Sequence, residues 1–331
     1  MPNPEIDRRT FHQLTAAALG GIVAGALSGC GGDKPAANPG ATAAADVHLC
    51  RGLNDYLRQH PGIFIPERKE LHHFGSDLRF FKSARPTHGE YLANFAPAQP
   101  DQIAGEASVW YLFSQLAAQE IHDFCPVAKI IIMLRSPADM LHSLHSQYLF
   151  ESNEDLTDFA AALAAEEDRS QGRRLPPGSN YREGLLYRRV ARFAEQVRRY
   201  LDVFPREQVY SIDFEDFSRD TPRVFAEVLQ FLGVDSSFRC EFEVRNPNKQ
   251  IHSRTLHNFL NNPGAFAILL GRFIPQSLRR SLISRLKGAN SPAAPRAPLS
   301  AELRAQLNRE FAPEIERLGK LVGRDFSKWL A

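Results

Sequence analysis

The feature that most constrains the fold is an unbroken apolar run followed at once by the start of a helix. The run spans residues 129–134 and reads KIIIML, and Arg135, Ser136 and Pro137 come directly after it. Such a run is typical of a strand that is buried on both faces of a parallel sheet. Ser136 suits an N-cap, Pro137 suits the first helical position, and Asp139 completes a capping-box pattern. The segment therefore predicts a strand, a tight turn and a helix with a well-defined start.

Strand and helix patterns alternate over much of the remaining chain. Strand patterns lie at 102–109 and 208–214, and the helix after the apolar run is predicted over 137–150. The arginine-rich stretch 181–204 has the periodicity of one long amphipathic helix. This alternation predicts an α/β fold, in which helices cover both faces of a parallel sheet.

The composition limits the partners of such a fold. Hydrophobic residues make up 43% of the 331 residues and charged residues 24%, which allows a sizeable core and excludes a polytopic membrane protein. The net charge of +2 gives no general attraction to nucleic acid, so we expect no nucleic-acid partner. The cysteines are too widely spaced for a CxxC motif, and no histidine or cysteine spacing predicts a metal site.

The N-terminal residues have the features of an export signal. Arg8 and Arg9 precede an apolar, small-residue run over 14–29 that is too short to span a bilayer, and Leu-Ser-Gly then leads into Cys30. The arginine pair resembles a twin-arginine signal, and the Leu-Ser-Gly-Cys sequence resembles a bacterial lipobox. We therefore predict export and attachment to a membrane through a lipid on Cys30. The alternative is a short buried or frayed helix.

These patterns divide the chain into three parts. Residues 1–30 are predicted to be the signal. Residues 31–46 consist mainly of Gly, Pro and Ala, which cannot bury much surface, and are predicted to be a flexible linker. Residues 47–331 are predicted to form the folded domain.

The carboxyl end of the strand at 129–134 is a candidate anion site. Ligands bind at this edge of open parallel sheets, and a helix N-terminus beside an arginine suits a phosphate group. Arg135 suits a structural salt bridge equally well, and the residues alone leave both interpretations open. Ser143 lies on the polar side of the predicted helix, where a solvated hydroxyl is the simpler interpretation.

Residues 129–148, KIIIMLRSPADMLHSLHSQY, resemble the 3′-phosphate-binding segment of sulfotransferases. These enzymes use 3′-phosphoadenosine 5′-phosphosulfate (PAPS) as sulfonate donor. The family pattern is an arginine after a strand, then a proline, then a serine eight residues past the arginine, and Arg135, Pro137 and Ser143 satisfy it. The resemblance implies a P-loop-like α/β fold, PAPS as co-substrate, no metal, and a 3′-phosphate held by Arg135 and Ser143.

Further pieces resemble the same family, and they occur in the family's order. They most resemble the heparan-sulfate and bacterial branch, and they lie at 57–74, 105–114, 210–233 and 299–330. Chance similarity to one motif would not reproduce this order. The resemblance therefore extends from about residue 49 to the end of the chain.

The resemblance also implies a catalytic base. The family's Lys-Glu-x-His-Phe-Phe element matches Lys69-Glu70-Leu71-His72-His73-Phe74, with histidine in place of the first phenylalanine. By this resemblance Glu70 is the general base, and His73 is the second candidate because histidine titrates near neutrality. The alternative for Glu70 is an exposed carboxylate in a charged loop. For His72 a packed or solvated side chain is the favoured interpretation.

One family hallmark is absent from the sequence. A first strand should end in a Lys-x-Gly-Thr-Thr loop that wraps the 5′-phosphosulfate, but residues 41–48 read ATAAADVH. We therefore expect the sheet to lack its first strand, with the run 14–29 not replacing it. We hypothesise that an export segment has been joined to a truncated sulfotransferase body, by fusion or by a misplaced start. The N-terminus favours export and anchoring, whereas the donor nucleotide favours the cytoplasm.

The sequence thus predicts transfer of sulfonate from PAPS to a hydroxyl or amine. The alternative is a catalytically inactive, lipid-anchored binding protein that keeps the fold. Lys249 and Arg254 lie in a polar loop that resembles a family loop near the nucleotide, and we predict phosphate contacts there, with a solvated loop as the alternative. The acceptor is expected to be a small molecule, a carbohydrate or a lipid, and no sequence signal separates these classes.

Overall fold

The computed structural model describes residues 23–24, 49–177, 179–242 and 298–331. The strands of this part of the chain are β1 (Val23–Ala24), β2 (Ile63–Phe64), β3 (Ile103–Glu106), β4 (Ile130–Leu134) and β5 (Val209–Asp213). β2 pairs with β3 in parallel, and β4 pairs with β5 in parallel. β1 pairs antiparallel with β3 and also lies against β4. The parallel pairs and the helices between them confirm the predicted α/β class.

Helices connect and cover these strands. They are α1 (Leu49–Leu57), α2 (His88–Ala93), α3 (Ala117–Phe124), α4 (Pro137–Phe150), α5 (Phe159–Ala164), α6 (Glu166–Ser170), α7 (Tyr187–Val190), α8 (Phe193–Val203), α9 (Phe214–Arg219), α10 (Thr221–Leu232) and α11 (Ala301–Val322), with 3₁₀ turns at Glu183–Leu185, Arg206–Gln208 and Ser327–Leu330. Among the described residues, no helix has both the length and the apolar character that crossing a membrane requires.

β4 is the buried strand that the apolar run predicts. All five of its residues are buried, and its register with β5 runs from Ile130 opposite Val209 to Leu134 opposite Asp213. α4 follows β4 and packs against α11, which also packs against α8. Lys129, just before β4, donates from Nζ to the carbonyl oxygens of Phe231 (2.7 Å) and Leu232 (3.1 Å) and so satisfies the C-terminal end of α10.

β1 lies within the run 14–29, which was predicted not to replace the first strand of the family. Val23 and Ala24 pair with Glu106 and Gly105 of β3. The N–H and C=O groups on a strand edge need partners, and even a two-residue segment can supply some of them. Because this pairing is antiparallel, β1 does not reproduce the parallel first strand expected from the family. The predicted signal and linker otherwise fall largely outside the described residues, and Cys30 lies outside them.

The predicted single helix over 181–204 is broken into a 3₁₀ turn, α7 and α8. Gln196 donates from Nε2 to the carbonyl of Val190 (2.9 Å), at the end of α7. The backbone N–H of Ala194, at the start of α8, donates to Oε1 of Glu314 on α11 (2.7 Å). Backbone groups at a helix end need such partners. Tertiary partners therefore replace the helical hydrogen bonds that the periodicity predicted.

A buried ion pair fastens the segment between α4 and α7. Arg169 donates from Nη2 and Nη1 to the two carboxylate oxygens of Glu154, at 2.6 and 2.8 Å, and both side chains are fully buried. Tyr187 donates its hydroxyl to the same carboxylate (2.8 Å). Removing either partner of such a pair leaves a buried charge without compensation.

We expect Arg169→Met to lower the free energy of unfolding by about 3–5 kcal/mol, measured by urea denaturation. Arg173→Met is the matched control, because Arg173 forms an exposed ion pair with Asp168. The control should change the free energy by about 1 kcal/mol or less. Equal losses in the two variants would contradict the structural role of the buried pair.

Candidate active site

Arg135 lies at the carboxyl end of β4 with an unsatisfied donor. Its guanidinium stacks over the ring of Phe214, with Cζ 5.1 Å from the ring centroid. Its Nη1 is buried and has no hydrogen-bond partner, and within the described residues Arg135 forms no ion pair. Burial lowers the pKa of Arg135, while the charges of Asp139 and Glu215 partly oppose that shift, and the group stays cationic. A buried, unpartnered cationic N–H is a donor that an anion would satisfy.

The predicted capping box at the start of α4 does not form. The Ser136 side chain caps no backbone group, and its Oγ is buried without a hydrogen-bond partner. Asp139 instead accepts from Arg304 of α11, with Nη2–Oδ1 at 2.6 Å and Nη1–Oδ2 at 3.1 Å. Because this arginine engages both carboxylate oxygens, Asp139 is drawn away from the helix start. The turn therefore carries two buried polar atoms without a hydrogen-bond partner, Nη1 of Arg135 and Oγ of Ser136.

Ser143 lies on the face of α4 that begins at Ser136. The two serines are seven residues apart, a spacing that places them on the same side of a helix. Ser143 is 2% exposed, so its hydroxyl is not the solvated group that the simpler interpretation predicted. The end of β4 thus carries Arg135, and one face of α4 then carries Ser136 and Ser143.

The loop that carries Glu70 follows β2 and is attached to the segment after β3. Glu70 and His72 have backbone φ angles of 54° and 49°, which cost a residue other than glycine about 1–3 kcal/mol each. The backbone N–H of Glu70 donates to the carbonyl of Ala107 (3.1 Å), and the N–H of Val109 donates to Oε2 of Glu70 (2.9 Å). The Glu70 side chain is 39% exposed, so its carboxylate is oriented by the protein and still open to solvent.

The two neighbouring histidines have different surroundings. Nε2 of His72 lies 3.5 Å from Oε2 of Glu70, and its ring stacks on Phe80 at 4.2 Å. Burial lowers the pKa of His72 to about 4, helped by the charge of Arg68, so this ring is neutral at neutral pH. Nδ1 of His73 hydrogen-bonds the carbonyl of Pro86 (3.2 Å). The imidazole beside Glu70 is therefore that of His72, which the sequence interpretation had treated as packed or solvated.

His73 stays a second candidate base on sequence grounds, although its surroundings restrict it. Its ring stacks on Tyr91 at a centroid distance of 4.2 Å and is inclined by only 12°. Burial lowers its pKa, partly offset by the hydrogen bond to Pro86. The neutral ring is thus favoured, with one of its nitrogens engaged by a carbonyl.

The acidic residues at the end of β5 are paired with cations of the C-terminal segment. Nζ of Lys328 lies 2.6 Å from Oδ2 of Asp213 and 2.7 Å from Oδ1 of Asp216. Arg324 lies 3.0 Å from Oδ2 of Asp216. In the part of the chain that the structure describes, no cluster of potential ligands could hold a metal ion. These carboxylates therefore fasten the C-terminal segment to the sheet.

The predicted site residues that the structure describes belong to two units of the fold. Arg135 and Ser143 share the β4–α4 unit, and the loop with Glu70 and His73 is bound to the segment after β3. The rings of Trp110, after β3, and Tyr148, on α4, lie 6.4 Å apart, which brings the two units together. Lys249 and Arg254 lie outside the described residues, as do residues 41–48, where the family's 5′-phosphosulfate loop would be sought.

Comparisons with known proteins identify the family of this chain. A family model described as "Sulfotransferase domain" matches residues 116–268, which include the β4–α4 unit. A crystal structure of a sulfotransferase from Alicyclobacillus acidocaldarius is 30% identical in sequence and matches with a TM-score of 0.63, covering 89% of this chain and all of that chain. This chain belongs to the sulfotransferase family. The resemblance deduced from residues 129–148 is therefore confirmed.

Two curated relatives are more distant. The membrane-associated sulfotransferase kil1 of Dictyostelium discoideum is 19% identical over 298 residues, which cover 66% of this chain and 62% of that protein. The bifunctional heparan sulfate N-deacetylase/N-sulfotransferase 4 of Mus musculus is 26% identical over 290 residues, which cover 83% of this chain and 29% of that protein. This chain thus spans less than two thirds of the length of either relative.

The sequence interpretation missed one buried carboxylate, that of Glu106 at the end of β3. It is 1% exposed and accepts hydrogen bonds from the hydroxyls of Tyr91, Ser108 and Tyr111. The available signal was a glutamate in the middle of the predicted strand at 102–109. Its hydroxyl partners come from α2 and from the loop after β3, so the spacing along the chain could not predict the cluster.

Proposed function

We propose that this sulfotransferase transfers a sulfonate group from PAPS to a hydroxyl or amine acceptor. The observation that carries the proposal is the buried, unpartnered Nη1 of Arg135 beside the uncapped start of α4. A phosphate group there would satisfy the guanidinium, the Ser136 hydroxyl and free N–H groups of the helix. Ser143, on the same helix face, would extend the contact. These residues fit the 3′-phosphate of the donor nucleotide.

Sulfonate transfer needs a proton acceptor beside the attacking group. Glu70 would remove the proton as the acceptor oxygen or nitrogen forms its bond to sulfur. The bond between sulfur and the 5′-phosphate oxygen breaks in the same displacement, and 3′-phosphoadenosine 5′-phosphate leaves with the electron pair. The N–H of Val109 holds the Glu70 carboxylate in place, and the His72 ring beside it is neutral at neutral pH.

The acceptor class is to be identified with a panel of candidate acceptors. The mouse relative acts, by its name, on heparan sulfate, which supports testing an amino sugar first. Sugar hydroxyls, phenols and lipid headgroups complete a panel that separates carbohydrate, small-molecule and lipid acceptors.

The test combines binding and transfer on the full chain. Calorimetric titration with 3′-phosphoadenosine 5′-phosphate should show saturable binding, and radiolabelled sulfonate should pass from PAPS to a member of the acceptor panel. Binding without transfer to any acceptor would favour the inactive binding protein over the enzyme. A folded sample that binds no nucleotide would overturn the proposal.

A further inference from the structure

The carboxylate of Glu106 is buried next to the hydroxyls that bind the loop carrying Glu70. Oε1 of Glu106 accepts from the hydroxyls of Tyr91 (3.2 Å) and Tyr111 (3.0 Å), and Oε2 accepts from the hydroxyl of Ser108 (2.8 Å). Three hydroxyls from two parts of the chain thus converge on one side chain. The proposed function of the protein assigns no task to this group.

Two of these hydroxyls also bind the backbone of the Glu70 loop. Oγ of Ser108 accepts from the N–H of His72 (3.2 Å), and Oη of Tyr111 accepts from the N–H groups of His73 (2.7 Å) and Phe74 (3.1 Å). A backbone N–H only donates, so each hydroxyl must accept there and has its own proton left to donate. Ionised Glu106 accepts both of those protons, and Glu106 protonated on Oε2 still accepts the Tyr111 proton at Oε1. The carboxylate thereby sets the orientation of the hydroxyls that hold three consecutive loop N–H groups.

The loop needs such support because of its backbone conformation. Glu70 and His72 both have positive φ angles, a region that residues other than glycine occupy only when their surroundings enforce it. The Ser108 and Tyr111 hydroxyls, which donate to Glu106, hold the loop at residues 72–74. The bonds of Glu70 to Ala107 and Val109 fix its other end.

We propose that Glu106 is a positioning residue, which holds the Glu70 loop in the conformation needed for proton removal from the acceptor. The inference rests on the proposed function for its catalytic part, because it assumes that Glu70 is the base. Its structural part, the ordering of residues 70–74, stands on the hydrogen bonds alone.

The charge state of Glu106 offers a first measurement. Burial raises the pKa of Glu106 from its usual 4.5 to about 8, against the opposing effect of its hydroxyl donors. The titratable groups that act on it are Glu70, Tyr91, Tyr111 and Tyr200. Because the folded protein holds this proton more tightly than the unfolded chain, the stabilisation is complete below pH about 4.5 and is lost as the pH rises through about 8.

We therefore expect the melting temperature of the wild type to fall relative to that of Glu106→Gln between pH 5 and pH 8.5. The glutamine variant has the same shape and no titrating group, so it corrects for other ionisations. Parallel curves for the two proteins would show that Glu106 does not bind its proton in the buried cluster described above, and would overturn the inference.

A matched pair of tyrosine variants separates positioning from general stability. Tyr111→Phe removes the hydroxyl that joins Glu106 to the N–H groups of His73 and Phe74. Tyr91→Phe removes a hydroxyl that donates to Glu106 but accepts from none of these N–H groups. We expect Tyr111→Phe to lower kcat about tenfold or more, which corresponds to about 1.4 kcal/mol, with binding of 3′-phosphoadenosine 5′-phosphate unchanged. We expect Tyr91→Phe to lower kcat by about threefold or less.

Amide hydrogen exchange of residues 70–74 supplies a readout that does not depend on activity. Exchange should become faster in Tyr111→Phe than in Tyr91→Phe. If the loop exchanges alike in both variants, or if kcat only follows the melting temperature, the inference is overturned. If the wild type transfers no sulfonate, the proposed function fails, and the exchange measurement alone decides whether the cluster orders the loop.

Discussion

Arg135→Ala is expected to weaken the binding of 3′-phosphoadenosine 5′-phosphate about 100-fold, or about 2.7 kcal/mol. The reason is that Nη1 of Arg135 is buried and unpartnered at the end of β4, so that a bound phosphate would gain a charge-assisted hydrogen bond away from bulk water. Calorimetric titration of the full chain measures the change. The fold should persist, because within the described residues Arg135 forms no ion pair whose other member would be left buried and uncompensated.

Two controls test whether the loss of binding is specific to Arg135 and to the 3′-phosphate. Arg223→Ala removes an exposed arginine that pairs with Asp220 and Glu227, and it should leave nucleotide binding unchanged. Adenosine 5′-phosphate lacks the 3′-phosphate, so Arg135→Ala should weaken its binding far less. An equal loss for both nucleotides would place Arg135 away from the 3′-phosphate, and no loss for either would remove it from the site.

Glu70→Gln is expected to lower kcat about 10²–10⁴-fold, the usual contribution of a general base. Glutamine keeps the shape of the side chain and an oxygen that can accept from Val109, but it cannot take the acceptor proton. Nucleotide affinity should therefore stay unchanged while turnover falls. Radiolabelled sulfonate transfer at saturating donor measures the effect.

His73→Gln distinguishes the two candidate bases. The His73 ring is stacked on Tyr91 and hydrogen-bonded to Pro86, so its replacement should affect turnover much less than Glu70→Gln. A larger loss in His73→Gln than in Glu70→Gln would transfer the role of base to His73. Similar nucleotide affinity in both variants would show that the comparison concerns the chemical step.

Local information in the sequence determined the β4–α4 unit and, through it, the family. An apolar run without alternation, a helix start with proline in its first position, and an arginine and a serine eight residues apart are all contained within residues 129–148. Hydrophobic burial and helix geometry act over such short distances, so the pattern predicts the buried strand and the face of the helix. Ser143 is buried on that helix, although its own residue type predicted a solvated position.

Only the tertiary structure decided which polar groups are satisfied. Ser136 and Asp139 were predicted to form a capping box at the start of α4. Arg304, 165 residues away in the chain, instead binds both carboxylate oxygens of Asp139, and the Ser136 hydroxyl has no partner. Glu314 likewise completes the break before α8, and the hydroxyls around Glu106 meet from separate segments. A hydrogen bond depends on a few tenths of an ångström and on direction, and these are set when distant elements pack. The sequence alone therefore determined the family and the β4–α4 unit, and the packing of distant elements determined which polar groups of that unit have hydrogen-bond partners.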